Sequence, residues 1–154
     1  MRTTVVAAAI AVAVLNAAPA LLGAWLWYWG EATDLAARAF WVTLRVGQGA
    51  ALTLALAVGS LAVAGRHPRE GLFYLYALLP LAVGLIGEQL RAASAQAVLD
   101  RRGLADARAV GSLPKREQHA IVEQIVRREI GVMALACVVV VFLALRAAGT
   151  AHGF

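Results

Sequence analysis

Four largely apolar stretches dominate the chain, beginning near Thr4, Ala39, Leu72 and Ile130. Each has the ~20 residues needed to cross roughly 30 Å of hydrocarbon, and together they take up most of the 154 residues. A backbone in lipid has no water to bond with, so it must satisfy its own N–H and C=O groups, which an apolar stretch of this length does as a helix. The fold class expected is therefore all-α: a polytopic membrane protein with four transmembrane helices, at about 4–28, 39–64, 72–102 and 114–148. It forms a single membrane domain over 1–154.

Composition agrees, with 62% apolar and 15% charged residues and a mean hydropathy of +0.75. The net charge of +5 does not point to nucleic acid, because the basic residues flank apolar spans and alternate with acids instead of forming a stripe with aromatics. Cys137 is the only cysteine, which excludes an intrachain disulfide or a CxxC pair. Arg2 before an apolar run, with Ala18-Pro19-Ala20 after it, has the outline of a signal peptide. The apolar run continues through Leu21, Leu22 and Leu26, longer than a signal core, so an uncleaved first helix is expected.

Within the first span, Asn16 and Pro19 sit near the middle, where an unpaired amide in hydrocarbon is costly and proline frees a carbonyl; both should face neighbouring helices. Trp25, Trp27, Tyr28 and Trp29 close the span with rings suited to the headgroup level, and Phe40 with Trp41 opens the second span at the same level. Residues 30–38 are read as a short connection. Small residues in the second span, Gly47, Gly49 and Gly59, are read as helix-packing positions.

The third span changes character at Glu88, Gln89 and Arg91, yet Leu90, Ala93, Ala97 and Val98 keep a helical spacing to Arg102, where Gly103 offers a C-cap. Residues 104–112 read as flexible, and Pro114 as a first-turn proline. Ile121, Val122, Ile125, Val126 and Ile130 then mark an amphipathic face running without a break into the last span. The two extensions are antiparallel neighbours, so 92–129 is expected to form a helical hairpin outside the bilayer. The side holding the hairpin carries Arg38, Arg91, Arg101, Arg102, Arg108, Lys115, Arg116, Arg127 and Arg128, against Arg2, Arg66, Arg69 and Arg146 on the side of both termini. The excess of basic residues assigns the hairpin to the cytoplasm.

The charges inside the spans are the candidate chemistry. Arg45 and Glu88 lie at comparable distances from the turn joining the second and third spans, so their depths match and a salt bridge is expected. Such a pair either marks a functional site or fixes helix register. Arg45, Gln48, Glu88, Arg91, Arg127 and Arg128 form a possible intramembrane polar site, with Gln89 and Glu129 nearby, whose arginines suit a phosphate or a lipid headgroup. No catalytic, cofactor or metal motif is recognised: His67, His119 and His152 lie apart, and phosphate loops, HExxH and GxSxG are missing.

Leu75-Tyr76-Ala77-Leu78-Leu79-Pro80-Leu81, Glu88-Gln89-Leu90-Arg91, Val98-Leu99-Asp100-Arg101-Arg102-Gly103-Leu104 and the run from Arg127 to Ala134 resemble uncharacterised small four-helix bacterial integral membrane proteins. The resemblance covers about the second half. It implies the topology alone, with no activity, cofactor or partner. The localisation expected is a bacterial cytoplasmic membrane.

The function expected is that of a non-catalytic accessory or structural subunit with no cofactor, docking to a larger membrane complex or to itself. One alternative is a small homo-oligomeric transporter or channel lined by Arg45, Gln48 and Glu88. Another is binding or modification of an anionic lipid headgroup at the interface, with Glu88 as acid or base.

Overall fold

The computed structural model of the chain describes residues 2–29, 34–68 and 71–151. Over these residues it is helical: α1 Arg2–Trp29, α2 Asp34–Val63, α3 Leu72–Arg101, the short α4 Ala107–Gly111 and α5 Lys115–Thr150. All but α4 are long and apolar enough to cross a membrane. Glu31, Arg69 and His152 lie outside the described residues.

Helix ends follow local chemistry. Gly65 and Gly103 both take positive φ, +75° and +67°. Each sits just past a helix: Gly65 N–H donates to the carbonyl of Ala62 and Arg66 N–H to that of Leu61, and Gly103 and Leu104 repeat the pattern on Asp100 and Leu99. These paired bonds satisfy carbonyls that a helix end leaves open, and the left-handed turn they need favours glycine.

Three boundaries differ from expectation. First, α2 begins at Asp34, inside the segment expected to be a connection, since Leu35, Ala36, Ala37 and Arg38 are good helix formers that extend it backward. Second, the stretch expected to be flexible contains α4, started by Asp106, whose Oδ1 accepts from Ala109 N–H at 2.9 Å. Third, Pro114 stands at the N-cap of α5, one position earlier than expected, and its carbonyl accepts from Glu117 and Gln118. The helices run through Pro19 and Pro80.

Packing sets the order around the bundle. Long contacts join α1 to α2, α1 to α5 and α5 to α3, while α2 meets α3 only sparsely. The bundle is thus a ring with one loose seam. Towards the termini, Val5, Ala9 and Val12 pack with Leu54, Val58, Phe73, Val140 and Ala144. At the other end Leu26, Phe40, Leu44, Ile130, Met133 and Cys137 form a second core. Small residues bring the axes close there: a Cβ added at Gly23 would stand 2.6 Å from Phe40 Cε2 and 2.7 Å from Ala134 Cβ. A third cluster, Val98, Leu99 and Ile121 with Leu104, Val110, Leu113 and Ile125, holds no residue of α1 or α2.

The outside of the bundle is apolar. Leu21 is 73% exposed and Leu85 71%, and Leu135 and Phe142 are similarly bare, the reverse of a water-facing surface.

Candidate polar site and cleft

On α2, Trp41, Arg45 and Gln48 fall at four- and three-residue spacings, which puts them on one face. That face turns toward α3. Arg45 Nη1 donates to Glu88 Oε1 at 2.7 Å and to Gln48 Oε1 at 2.7 Å, and Gln48 Nε2 donates to the same Glu88 oxygen at 3.2 Å. The other carboxylate oxygen, Oε2, lies 3.1 Å from Arg91 Nε. The geometry there is off-line for a hydrogen bond, so the buried Arg91 Nε has an ionic neighbour but no acceptor. Arg91 Nη1 is 3.9 Å from Glu129 Oε2 on α5, and its guanidinium lies over the Trp41 ring at 5.1 Å. One network of alternating charge therefore ties α2, α3 and α5 at a single level, across the seam where helix packing is weakest.

Beside this network lies a cleft of about 460 Å³ between α2 and α3. Arg45, Gln48 and Glu88 form its polar end, while Leu52, Pro80, Leu85, Met133, Cys137 and Val140 make the rest apolar. Its width comes from Gly49 and Gly84, which line it: a Cβ at either would meet nothing within 4 Å. These two glycines, one of them expected to pack a helix, hold the cleft open instead. Gly47 is different, because a Cβ there would stand 2.8 Å from Asn16 Oδ1. Asn16 is 2% exposed at the floor of the cleft and donates to the carbonyls of Val12 at 2.9 Å and Gly47 at 3.2 Å. Pro19 beside it is also buried.

The structure thus brings Arg45, Gln48, Glu88 and Arg91 together, with Glu129. Arg127 and Arg128 are elsewhere, which corrects the expected six-residue constellation. Arg127 Nε donates to the Trp27 carbonyl on α1 at 3.0 Å, and Arg128 lines a separate groove between α1 and α5 with Ala20, Trp27 and Leu135. Gln89 is exposed. Trp41 was missed as a partner of the site, although its spacing of four from Arg45 could have revealed it.

Two of the histidines serve local roles. His67 Nδ1 pairs with the Tyr74 hydroxyl at 2.9 Å, and His119 Nδ1 with the Lys115 carbonyl at 2.8 Å. Among the described residues no three His, Cys, Asp or Glu side chains gather to hold a metal ion.

No family model matches the chain, and neither a curated protein nor a solved structure matches it.

Proposed function

We propose that the chain is a four-span protein of the bacterial cytoplasmic membrane that works as a non-catalytic accessory or structural component, docking to a larger membrane complex or to itself through a rigid helical hairpin. The observation behind this reading is the length of α3 and α5. At 1.5 Å per residue, 30 and 36 residues make helices of roughly 45 and 54 Å, against about 30 Å of hydrocarbon. The excess lies where Val98, Leu99 and Ile121 form a core of their own, so a paired hairpin over 92–129 fits outside the bilayer better than two frayed ends. Its surface carries Arg101, Arg102, Lys115, Arg116, Glu117 and Glu123, all exposed, and the basic-residue balance favours the cytoplasm for it and the opposite side for both termini.

The non-catalytic part of the reading draws on Glu88. Its Oε1 accepts from Arg45 and Gln48, and the Arg91 guanidinium stands 3.1 Å from Oε2, which leaves the carboxylate poorly suited to act as acid or base. The transporter alternative, with Arg45, Gln48 and Glu88 lining a path, has less behind it. Beyond Asn16 the cleft lining is Ala51, Leu52 and Val140, with nothing to hydrate an ion.

The test is gentle extraction followed by native electrophoresis and cross-linking, comparing the wild-type chain with one carrying Arg101→Glu, Arg102→Glu and Arg116→Glu. The expected result is an assembly well above 16.1 kDa plus detergent that the variant loses while its helicity is kept. A wild-type chain that runs as a lone monomer overturns the reading.

A further inference from the structure

We infer that the cleft between α2 and α3 is a binding site for one acyl chain of an anionic membrane lipid, whose phosphate is held by Arg45 at the polar end. The inference rests on the membrane reading above, but not on the hairpin or on any partner complex.

Shape argues for a single chain. The lining runs from Leu44 to Leu52 on α2 and from Pro80 to Glu88 on α3, about 12 Å along each axis at ~1.5 Å per residue. The cleft offers about 460 Å³, within the range of small-ligand pockets. It therefore suits a flexible hydrocarbon chain.

Charge selects the headgroup. Among the described residues Arg45 meets Glu88 and Gln48 through Nη1 alone, which leaves Nε and Nη2 for an external acceptor, and its side chain is 56% exposed. Glu88 cannot balance Arg45 fully, because its second oxygen is drawn to Arg91 behind the cleft wall. The rim consequently presents forked N–H donors with incomplete neutralisation directly above an apolar slot. A phosphate with a tail meets both features, since guanidinium binds phosphate through paired charge-assisted hydrogen bonds. A neutral apolar molecule would leave those donors without an acceptor.

Gly84 provides a clean probe. It lines the cleft, and a Cβ there would meet nothing within 4 Å, so Gly84→Leu directs a side chain into the slot. The experiment is native mass spectrometry of the delipidated full chain in mild detergent, with equal amounts of phosphatidylglycerol and phosphatidylcholine. The wild type is expected to hold one phosphatidylglycerol with roughly tenfold preference: both headgroups carry a phosphate, but the trimethylammonium of phosphatidylcholine brings a second positive charge beside Arg45. Gly84→Leu should lose that bound lipid, whereas Arg45→Gln should keep a bound lipid but lose the preference. Equal retention of the two lipids by the wild type overturns the proposal. So does a Gly84→Leu chain that binds as the wild type does; a change in its oligomeric state would then assign the cleft to a second copy. Gly84→Leu decides the matter even if Arg45→Gln fails to fold. A chain recovered from cells without membranes would instead sink the membrane reading itself.

Discussion

Asn16 on α1 reaches the backbone of α2 only because Gly47 has no side chain: its Nδ2 lies 3.2 Å from the Gly47 carbonyl, and a Cβ at Gly47 would sit 2.8 Å from the Asn16 amide oxygen. The buried NH2 group of Asn16 thereby donates to the two carbonyls of Val12 and Gly47, and the α1–α2 crossing is pinned at one register.

Gly47 and Gly49 are therefore expected to respond in opposite ways to alanine. Gly47→Ala forces the amide away and should cost about 1–3 kcal/mol through overpacking and a lost hydrogen bond. Gly49→Ala adds a methyl to open space and should be neutral or stabilising by up to ~1 kcal/mol, the gain in helix propensity. Reversible unfolding in mixed detergent measures both, and equal losses at the two sites would contradict this account.

The Arg45–Glu88 pair should be coupled, but not as an isolated pair. Glu88→Gln is expected to cost about 1–3 kcal/mol, less than the ~3–5 kcal/mol of a fully buried bridge because more than half of the Arg45 side chain is exposed. Replacing both residues with leucine should recover part of that loss and not all of it, since Arg91 would then keep only Glu129, 3.9 Å away. A double-mutant cycle checks this, and a coupling energy indistinguishable from zero would reduce the contact to coincidence.

Depth was legible in the sequence and direction was not. Counting residues from the turn places Arg45 opposite Glu88, and the structure has them in contact. The same counting groups Arg127 and Arg128 with them, yet two residues of helix turn through about 200°. Glu129 faces Arg91 on α3, so Arg127 points the other way, to Trp27 on α1. The cleft was beyond reach for a related reason: it arises from the sparse meeting of α2 and α3, a property of the whole bundle, and Gly49 looks no different from Gly47 in a string of letters. Helix ends fared better where chemistry is local, as at Gly103. They fared worse at α4, where a five-residue helix leaves too little periodicity to read.

Orientation gives a further test. In a Cys137→Ala background, single cysteines at Arg108 and Thr150 should react with impermeant thiol reagents from opposite sides of the membrane, Arg108 only from the cytoplasm. Labelling of both from one side would contradict four crossings, while periplasmic labelling at Arg108 would mean that the turn carrying Arg66 sets the topology.

The small core at the turn between α3 and α5 is expected to loosen without disturbing the rest of the bundle. Gly103 holds φ +67° so that Leu104 can bond back to Leu99 and pack against Val98, Leu99 and Ile121. Alanine at that position should cost on the order of 1–2 kcal/mol, the penalty of a left-handed conformation with a Cβ. The small core it anchors contains no residue of α1 or α2, so the loss should stay local. Hydrogen exchange should accordingly rise over about 98–113 in Gly103→Ala and remain unchanged around Phe40, Leu44 and Met133 in the bundle. If the hairpin is the docking element, the assembly weakens in step with that local exchange while the thermal transition of the bundle stays put. Faster exchange throughout the chain would mean that the hairpin and the bundle unfold as one unit, and the separation of roles between them would fall.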